Sequence, residues 1–351
     1  PPPALRYWRG LTYGWFDGRR WSQAVPPAVD RDEYLRFPDA RPPRWYNELV
    51  ASRGEAVWNY RVVMERTGRQ WLYAMAVPFT EKSDVGMARD LRLVRRSELE
   101  TTYDYRVASY LMPVAVAGLA QWERQFYVTL PAGSSPQAKQ MAEQWRAEMP
   151  SDQAYVNRLL NWFNEEQFYY TLEPPLLGEH TVDDFLFRTR RGFCEHYASA
   201  FAFLLRAADI PTRIVAGYQG GQMNPLGNHL QVRQYDAHVW VEAWLPGQGW
   251  VEFDPTGAVA PTRIEQGLDR LQALVQIGQL FRRQGLGGIH RLYLRYGLVF
   301  RLRHIPRGLA QVIDQHMIGN PAQIGLRLTH ALSTGGIAHK GIVQHILCAL
   351  R

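Results

Sequence analysis

The chain has 351 residues, 46% of them hydrophobic, and a formal net charge of +7. That is long enough for two domains with proper cores and too apolar for a disordered chain. Its two cysteines, Cys194 and Cys348, exclude a disulfide framework, and no CxxC or Cys/His spacing suggests zinc, so no cofactor or metal is expected. The charge is uneven: residues 1–262 hold 28 Lys/Arg against 30 Asp/Glu, residues 263–351 hold 12 against 3. The basic character therefore belongs to the tail, which removes the argument for nucleic-acid binding by the body of the protein. No apolar run reaches the roughly 18 residues of a membrane span. The nearest candidate, Leu111 to Ala120, is interrupted by Pro113 and Gly118. Pro1-Pro2-Pro3 is no signal peptide and reads as a chain entered mid-way.

Residues 1–131 read as a β-rich, sandwich-like domain. Leu5 to Phe16, the turn Asp17-Gly18 and Arg19 to Ser22 suggest a hairpin. Ala56 to Glu65 and Gln70 to Phe79, around Arg66-Thr67-Gly68-Arg69, suggest a second. Leu91 to Arg95 and Thr101 to Met112 suggest a third pair, and Gln121 to Leu130 a last strand. Trp8, Trp15, Trp21, Trp58 and Trp71 suit either a ligand surface or, more simply, core and edge packing.

After the linker at Pro131 to Ser135, residues 136–262 alternate between helix and strand signals. Ser135-Pro136 reads as an N-cap with proline at the first helical position, opening a helix to about Glu148. Pro150-Ser151 starts another through Tyr155, Leu159, Leu160 and Phe163. Phe168 to Leu172 is a short strand, and Thr181 to Asp184 a capping box. Cys194 to Ala208 is a strong helix without interior Gly or Pro, preceded by Gly192. Thr212 to Gly217 is a strand, followed by a turn-rich loop from Gly220 to Asn228. Tyr235 to Leu245 alternates with His238, Trp240, Glu242 and Trp244 on one face, and Pro246 to Gly249 turns into the strand Trp250 to Asp254. Helices followed by an antiparallel sheet give an α+β core.

Three residues in this pattern carry chemistry. Cys194 falls at a helix N-terminus, where free N–H groups and the macrodipole stabilise a thiolate. If Leu245 pairs with Gly249, Trp240 faces Asp254, and His238 lies one diagonal step from Asp254 on the same face. Singly, a cysteine on an apolar helix is a small buried hydrophobe and a strand histidine is structural. Together they form a nucleophile, a base and an orienter.

Gly192-Phe193-Cys194-Glu195-His196-Tyr197-Ala198, Ile210 to Tyr218, His238 to Trp244 and Trp250 to Thr256 resemble the bacterial transglutaminase-like core, closest to membrane-anchored TgpA-type proteins. The resemblance implies a papain-like arrangement with the cysteine helix packed on a small antiparallel sheet. It also implies Cys194 as nucleophile, His238 as base and Asp254 as orienter. The implied reaction is acyl transfer from a glutamine carboxamide to a primary amine through a thioester. Protein or peptide substrates, a periplasmic location and anchoring in the bacterial inner membrane by flanking segments follow in the same way. The residues alone leave open a cysteine peptidase or amidase with water as acceptor, or a non-catalytic binding domain. Tyr170 is the expected second oxyanion donor beside the Cys194 N–H. No Asp-rich calcium loop is visible. The tail, residues 263–351, reads as a basic segment for an anionic membrane surface, as a helical extension, or as a departure from the family pattern, and Cys348 within it is no site candidate.

Overall fold

The structure is a computed structural model that describes residues 1–23, 29–54, 56–110, 118–224 and 227–259. The tail with Cys348, residues 111–117 of the apolar run, and residues 225–226 of the turn-rich loop lie outside the described residues.

At the centre is a five-stranded antiparallel sheet of β1 (Tyr7–Tyr13), β2 (Ala74–Met75), β3 (Thr212–Gln219), β4 (Ala237–Leu245) and β5 (Gly249–Phe253). Its order is β5-β4-β3-β1-β2. The β4–β5 turn closes as expected, with Leu245 opposite Gly249, and the ladder runs to Val241 opposite Phe253. Gly247 and Gly249 take positive φ of 75° and 82°, which side-chain-bearing residues avoid. Next to it, β3 pairs with β4 from Thr212↔Ala243 to Tyr218↔Ala237.

The N-terminal region is β-rich, but its first strand does not stay within it. β1 lies between β3 and β2, in register with β3 from Tyr7↔Gln219 to Tyr13↔Ile214, with a bulge at Gly10. The approach is close: a Cβ on Gly217 would sit 1.9 Å from the Trp8 carbonyl oxygen. Only Trp15–Phe16 and Trp21–Ser22 form the expected hairpin, with the Asp17 carboxylate accepting from the Arg19 and Arg20 N–H groups. The second and third hairpins are not formed as expected. Trp58–Met64 pairs with Tyr103–Tyr110 over seven residue pairs, and Trp71–Leu72 pairs with Leu93–Arg95. A long alternating strand gains more ladder from an equally long partner than from the short neighbour its turn offers. Gln121 to Leu130 is not a strand: Gln121–Val128 is a helix, α1. Glu123 makes it so, its carboxylate accepting from the Ala120 N–H while pairing with Arg89.

Helices α2 (Pro136–Glu148) and α3 (Asp152–Glu165) follow. Ser151 caps α3 through its hydroxyl, which accepts from the Ala154 N–H. Ser135 does not cap α2; it is left-handed at φ 42°. The Asp183 carboxylate takes that role and accepts from the Gln137 and Ala138 N–H groups. A longer-range carboxylate thus replaces the local hydroxyl and also suits the dipole. The Thr181 capping box is likewise absent, because Asp184 turns to the Gly178 N–H and to Arg188. Beyond β3, the turn-rich loop is itself a short hairpin, Gln222–Asn224 against His229–Gln231.

Helix α4 (Cys194–Ala207) packs against β4 and β3. Its Ala- and Phe-rich sequence is almost wholly buried. Arg206 ties down its far end by donating to the carbonyls of Thr212, Gly14 and Thr129. Trp21 donates to Ser199 on the same helix and lies under the Arg206 guanidinium, so it serves packing rather than an open surface. Trp8 is buried too, its indole N–H on the Gly220 carbonyl.

Candidate active site

Cys194 is the first residue of α4, with Phe193 as N-cap in an extended conformation. The approach is built by two residues of parallel ladder, Tyr169↔Arg191 and Tyr170↔Gly192, closed by the Thr171 N–H on the Gly192 carbonyl. A side chain at 192 is not tolerated: its Cβ would lie 2.6 Å from the His196 side chain. The glycine therefore lets the chain turn into the helix with Cys194 facing the sheet end. Cys194 is buried, 8% exposed.

His238 stands opposite Gly217 on β4 and is 9% exposed. Its Nε2 lies 2.7 Å from Asp254 Oδ2. Cys194 acts on the same ring, and with Nε2 held by Asp254 the ring nitrogen left over is Nδ1. The three residues singled out from the sequence are thus brought together: Cys194 on the helix, His238 on β4 and Asp254 just after β5. Asp236, two residues before His238, instead accepts from the Arg233 N–H.

Burial by itself would push His238 down. Hydrogen bonds and charge from Asp254 and Cys194 outweigh it and hold the ring up to about 10. Burial would push Asp254 up, but its bonds from His238, Tyr7 and the Thr256 N–H hold it below the usual carboxylate range. Both shifts favour an imidazolium beside an ionised carboxylate. Such a set can hold a thiolate, orient the ring and return a proton to a departing group.

Tyr170 lies on the short parallel ladder, opposite Gly192. Burial pushes its phenol well above 10, so it stands as a neutral hydroxyl close to Cys194.

Sequence reasoning missed a second set of polar residues. The Tyr7 hydroxyl donates to Asp254 Oδ2 at 2.9 Å and accepts from Gln219 Nε2 at 2.7 Å. Further along the same sheet face, Glu242 is fully buried between Arg9 and Arg213. Arg213 Nε lies 2.7 Å from Glu242 Oε2, and Arg9 Nη1 3.2 Å from the same oxygen. Burial opposes the charge on Glu242, yet the two guanidiniums hold it down at about 2. The only sequence signal was period-two polarity, Tyr7 and Arg9 in one strand and His238 and Glu242 in the other. Among the described residues no group of His, Cys, Asp or Glu is arranged to hold a metal ion, and no helix is long and apolar enough to cross a membrane.

Two family models match the chain: the transglutaminase-like superfamily over residues 139–255 and the TgpA N-terminal domain over residues 1–115. The protein-glutamine gamma-glutamyltransferase of Pseudomonas aeruginosa is 44% identical over 276 residues, which is 78% of this chain and 38% of that protein. The chain therefore spans well under half the length of that relative. An uncharacterized Bacillus subtilis protein, YebA, is 40% identical over 108 residues, 29% of this chain and 15% of that protein. The crystal structure of the periplasmic domain of Pseudomonas aeruginosa TgpA superposes with a TM-score of 0.65 at 44% identity, covering 77% of this chain and 88% of that one. With a relative this similar matched over nearly its whole solved domain, the chain belongs to the transglutaminase-like superfamily, among its TgpA-type members.

Proposed function

We propose that the chain catalyses acyl transfer from a glutamine carboxamide to a primary amine through a thioester on Cys194. The observation that carries this reading is the placement of Cys194 at the start of a buried helix, close enough to act on the His238 ring, whose Nε2 is hydrogen-bonded to Asp254 at 2.7 Å. The gamma-glutamyltransferase name of the Pseudomonas relative supports the same chemistry.

In the first half-reaction the Cys194 thiolate attacks the carboxamide carbon. The His238 imidazolium gives its proton to the departing ammonia, and a thioester remains. In the second, His238 takes a proton from the incoming amine as that nitrogen attacks the thioester, and the thiolate leaves. Asp254 accepts from Nε2 throughout and keeps Nδ1 turned to the reacting centre. The developing oxyanion takes the Cys194 N–H, with the Tyr170 hydroxyl as second donor. The substrates are proteins or peptides bearing glutamine and amine groups. The periplasmic location of the solved relative supports an extracytoplasmic site of action, with anchoring by segments flanking this region.

The test is incubation with a glutamine-containing peptide and a tagged primary amine, read by mass spectrometry. Amine incorporation is the expected product. Conversion of glutamine to glutamate alone would make water the acceptor, backbone cleavage would make the chain a peptidase, and no modification would leave a binding domain; each of these overturns the reading.

A further inference from the structure

We propose that Tyr7, from the N-terminal strand, is a positioning residue of this site: its hydroxyl fixes which oxygen of Asp254 faces His238 and how strongly. The proposal rests on the reading of Cys194, His238 and Asp254 as the reacting set.

An ionised carboxylate only accepts hydrogen bonds. With the Tyr7 oxygen 2.9 Å from Asp254 Oδ2, the phenol must be the donor there. Its single proton is then spent, so its oxygen accepts from the Gln219 amide at 2.7 Å. Polarity therefore runs one way, from Gln219 through Tyr7 to Asp254. His238 Nε2 donates to the same Oδ2, at 2.7 Å, while Oδ1 is occupied by the Thr256 N–H at 3.0 Å. Asp254 is held at both oxygens, and Oδ2 is shared between the ring and the phenol.

The position of that phenol is set by backbone register. Tyr7 and Gln219 are direct cross-strand partners on β1 and β3. The Tyr7 ring packs edge-on against Trp240, centroids 5.2 Å apart, and lies 6.1 Å from the His238 ring. A strand 247 positions away in sequence from Asp254 is thereby built into the site.

Sharing has a chemical consequence. A carboxylate oxygen that accepts from two donors is a weaker partner for each, so Tyr7 moderates the hold of Asp254 on the His238 imidazolium. The titratable groups around this pair are Cys194 from α4, Tyr170 from the short parallel strand, Tyr7 itself and Glu252 from β5. Of these, Tyr7 is the one that donates to Asp254 from the N-terminal region.

The test is Tyr7→Phe in the 351-residue chain, which keeps the ring and removes the donor. Three quantities are measured against pH: the rate of Cys194 alkylation by iodoacetamide, kcat and KM for tagged-amine incorporation, and thermal unfolding. The expected result is a roughly tenfold fall in kcat with KM within about twofold. The alkaline limb of the profile should move to higher pH, because an unshared carboxylate holds the imidazolium more tightly. Kinetics within twofold of wild type, or a fall in amplitude with the limbs unmoved, would overturn the proposal in favour of mere packing. Asp254→Asn run in parallel separates the two levels. If it disturbs the profile while Tyr7→Phe does not, the triad stands and the role of Tyr7 falls. If wild-type Cys194 is unreactive, or Asp254→Asn is without effect, the reading of the site fails and takes the proposal with it. Should Tyr7→Phe not fold, Gln219→Met removes the amide that fixes the phenol. It should move the alkaline limb the same way by a smaller amount, and an unmoved limb there would refute the role equally.

Discussion

Asp254→Asn exchanges the acceptor that holds His238 for a group of nearly the same shape. In the native protein both carboxylate oxygens accept, Oδ2 from His238 and Tyr7 and Oδ1 from the Thr256 N–H. A carboxamide has one acceptor oxygen and one NH2. If its oxygen faces His238, the NH2 meets the Thr256 N–H, donor against donor. If its NH2 faces His238, Nε2 must accept, which puts the proton on Nδ1 beside the sulfur, the wrong tautomer for accepting a proton there. The charge is lost in both cases. Holding the His238 ring at about 10 rather than 6.5 corresponds to roughly 5 kcal/mol in favour of the imidazolium. If about half of that comes from Asp254, the variant loses roughly 2–3 kcal/mol, or about 30- to 160-fold in kcat. His238→Ala should cost more, since it removes the proton carrier itself. The assay is amine incorporation from pH 5 to 10 with circular dichroism to confirm the fold. The alkaline limb should retreat toward neutrality. A folded Asp254→Asn variant with activity within twofold of wild type across that range would refute the argument.

Cys194→Ala should abolish both incorporation and thioester formation while lowering stability by only about 1 kcal/mol, read from acyl-enzyme mass and a melting curve. Surviving thioester would move the nucleophile elsewhere. Glu242→Gln leaves Arg9 and Arg213 buried around a neutral amide and should destabilise by roughly 3 kcal/mol in urea unfolding; a loss under 1 kcal/mol would show the two guanidiniums finding other partners. Burial raises Glu195 from its ordinary 4.5 to about 7, so the folded state binds that proton more tightly than the unfolded state does. Its contribution to stability therefore falls as pH rises from about 4.5 to 7. Glu195→Gln removes that loss, and the variant should gain on wild type by roughly 1–3 kcal/mol between pH 4 and pH 8 in unfolding measurements. A difference independent of pH would contradict it.

The site's own residues were readable because each sits in a strong local pattern. Cys194 opens a helix with no interior breaker, and the β4–β5 turn has glycines where positive φ is required, which sets the register that brings Asp254 to His238. Misreadings arose where local signals compete with distant ones. The 121–130 stretch has aromatic residues that suit a strand, yet Glu123 caps it as a helix and pairs with Arg89, 34 positions away. Ser135 has the composition of a cap, but the Asp183 carboxylate outcompetes it, accepting from the Ala138 N–H 45 positions upstream of itself.

Sequence by itself picked out Cys194, His238 and Asp254 and the elements that carry them, because periodicity and turn chemistry act within a dozen residues. What only the tertiary structure decided is that β1 enters the sheet beside β3 and brings Tyr7 to Asp254 and Arg9 to Glu242. Strand partners far apart in the chain are chosen by which faces bury best together and by which buried charges find counter-charges. That choice is a property of the assembled core, and no stretch of sequence short enough to read locally contains it.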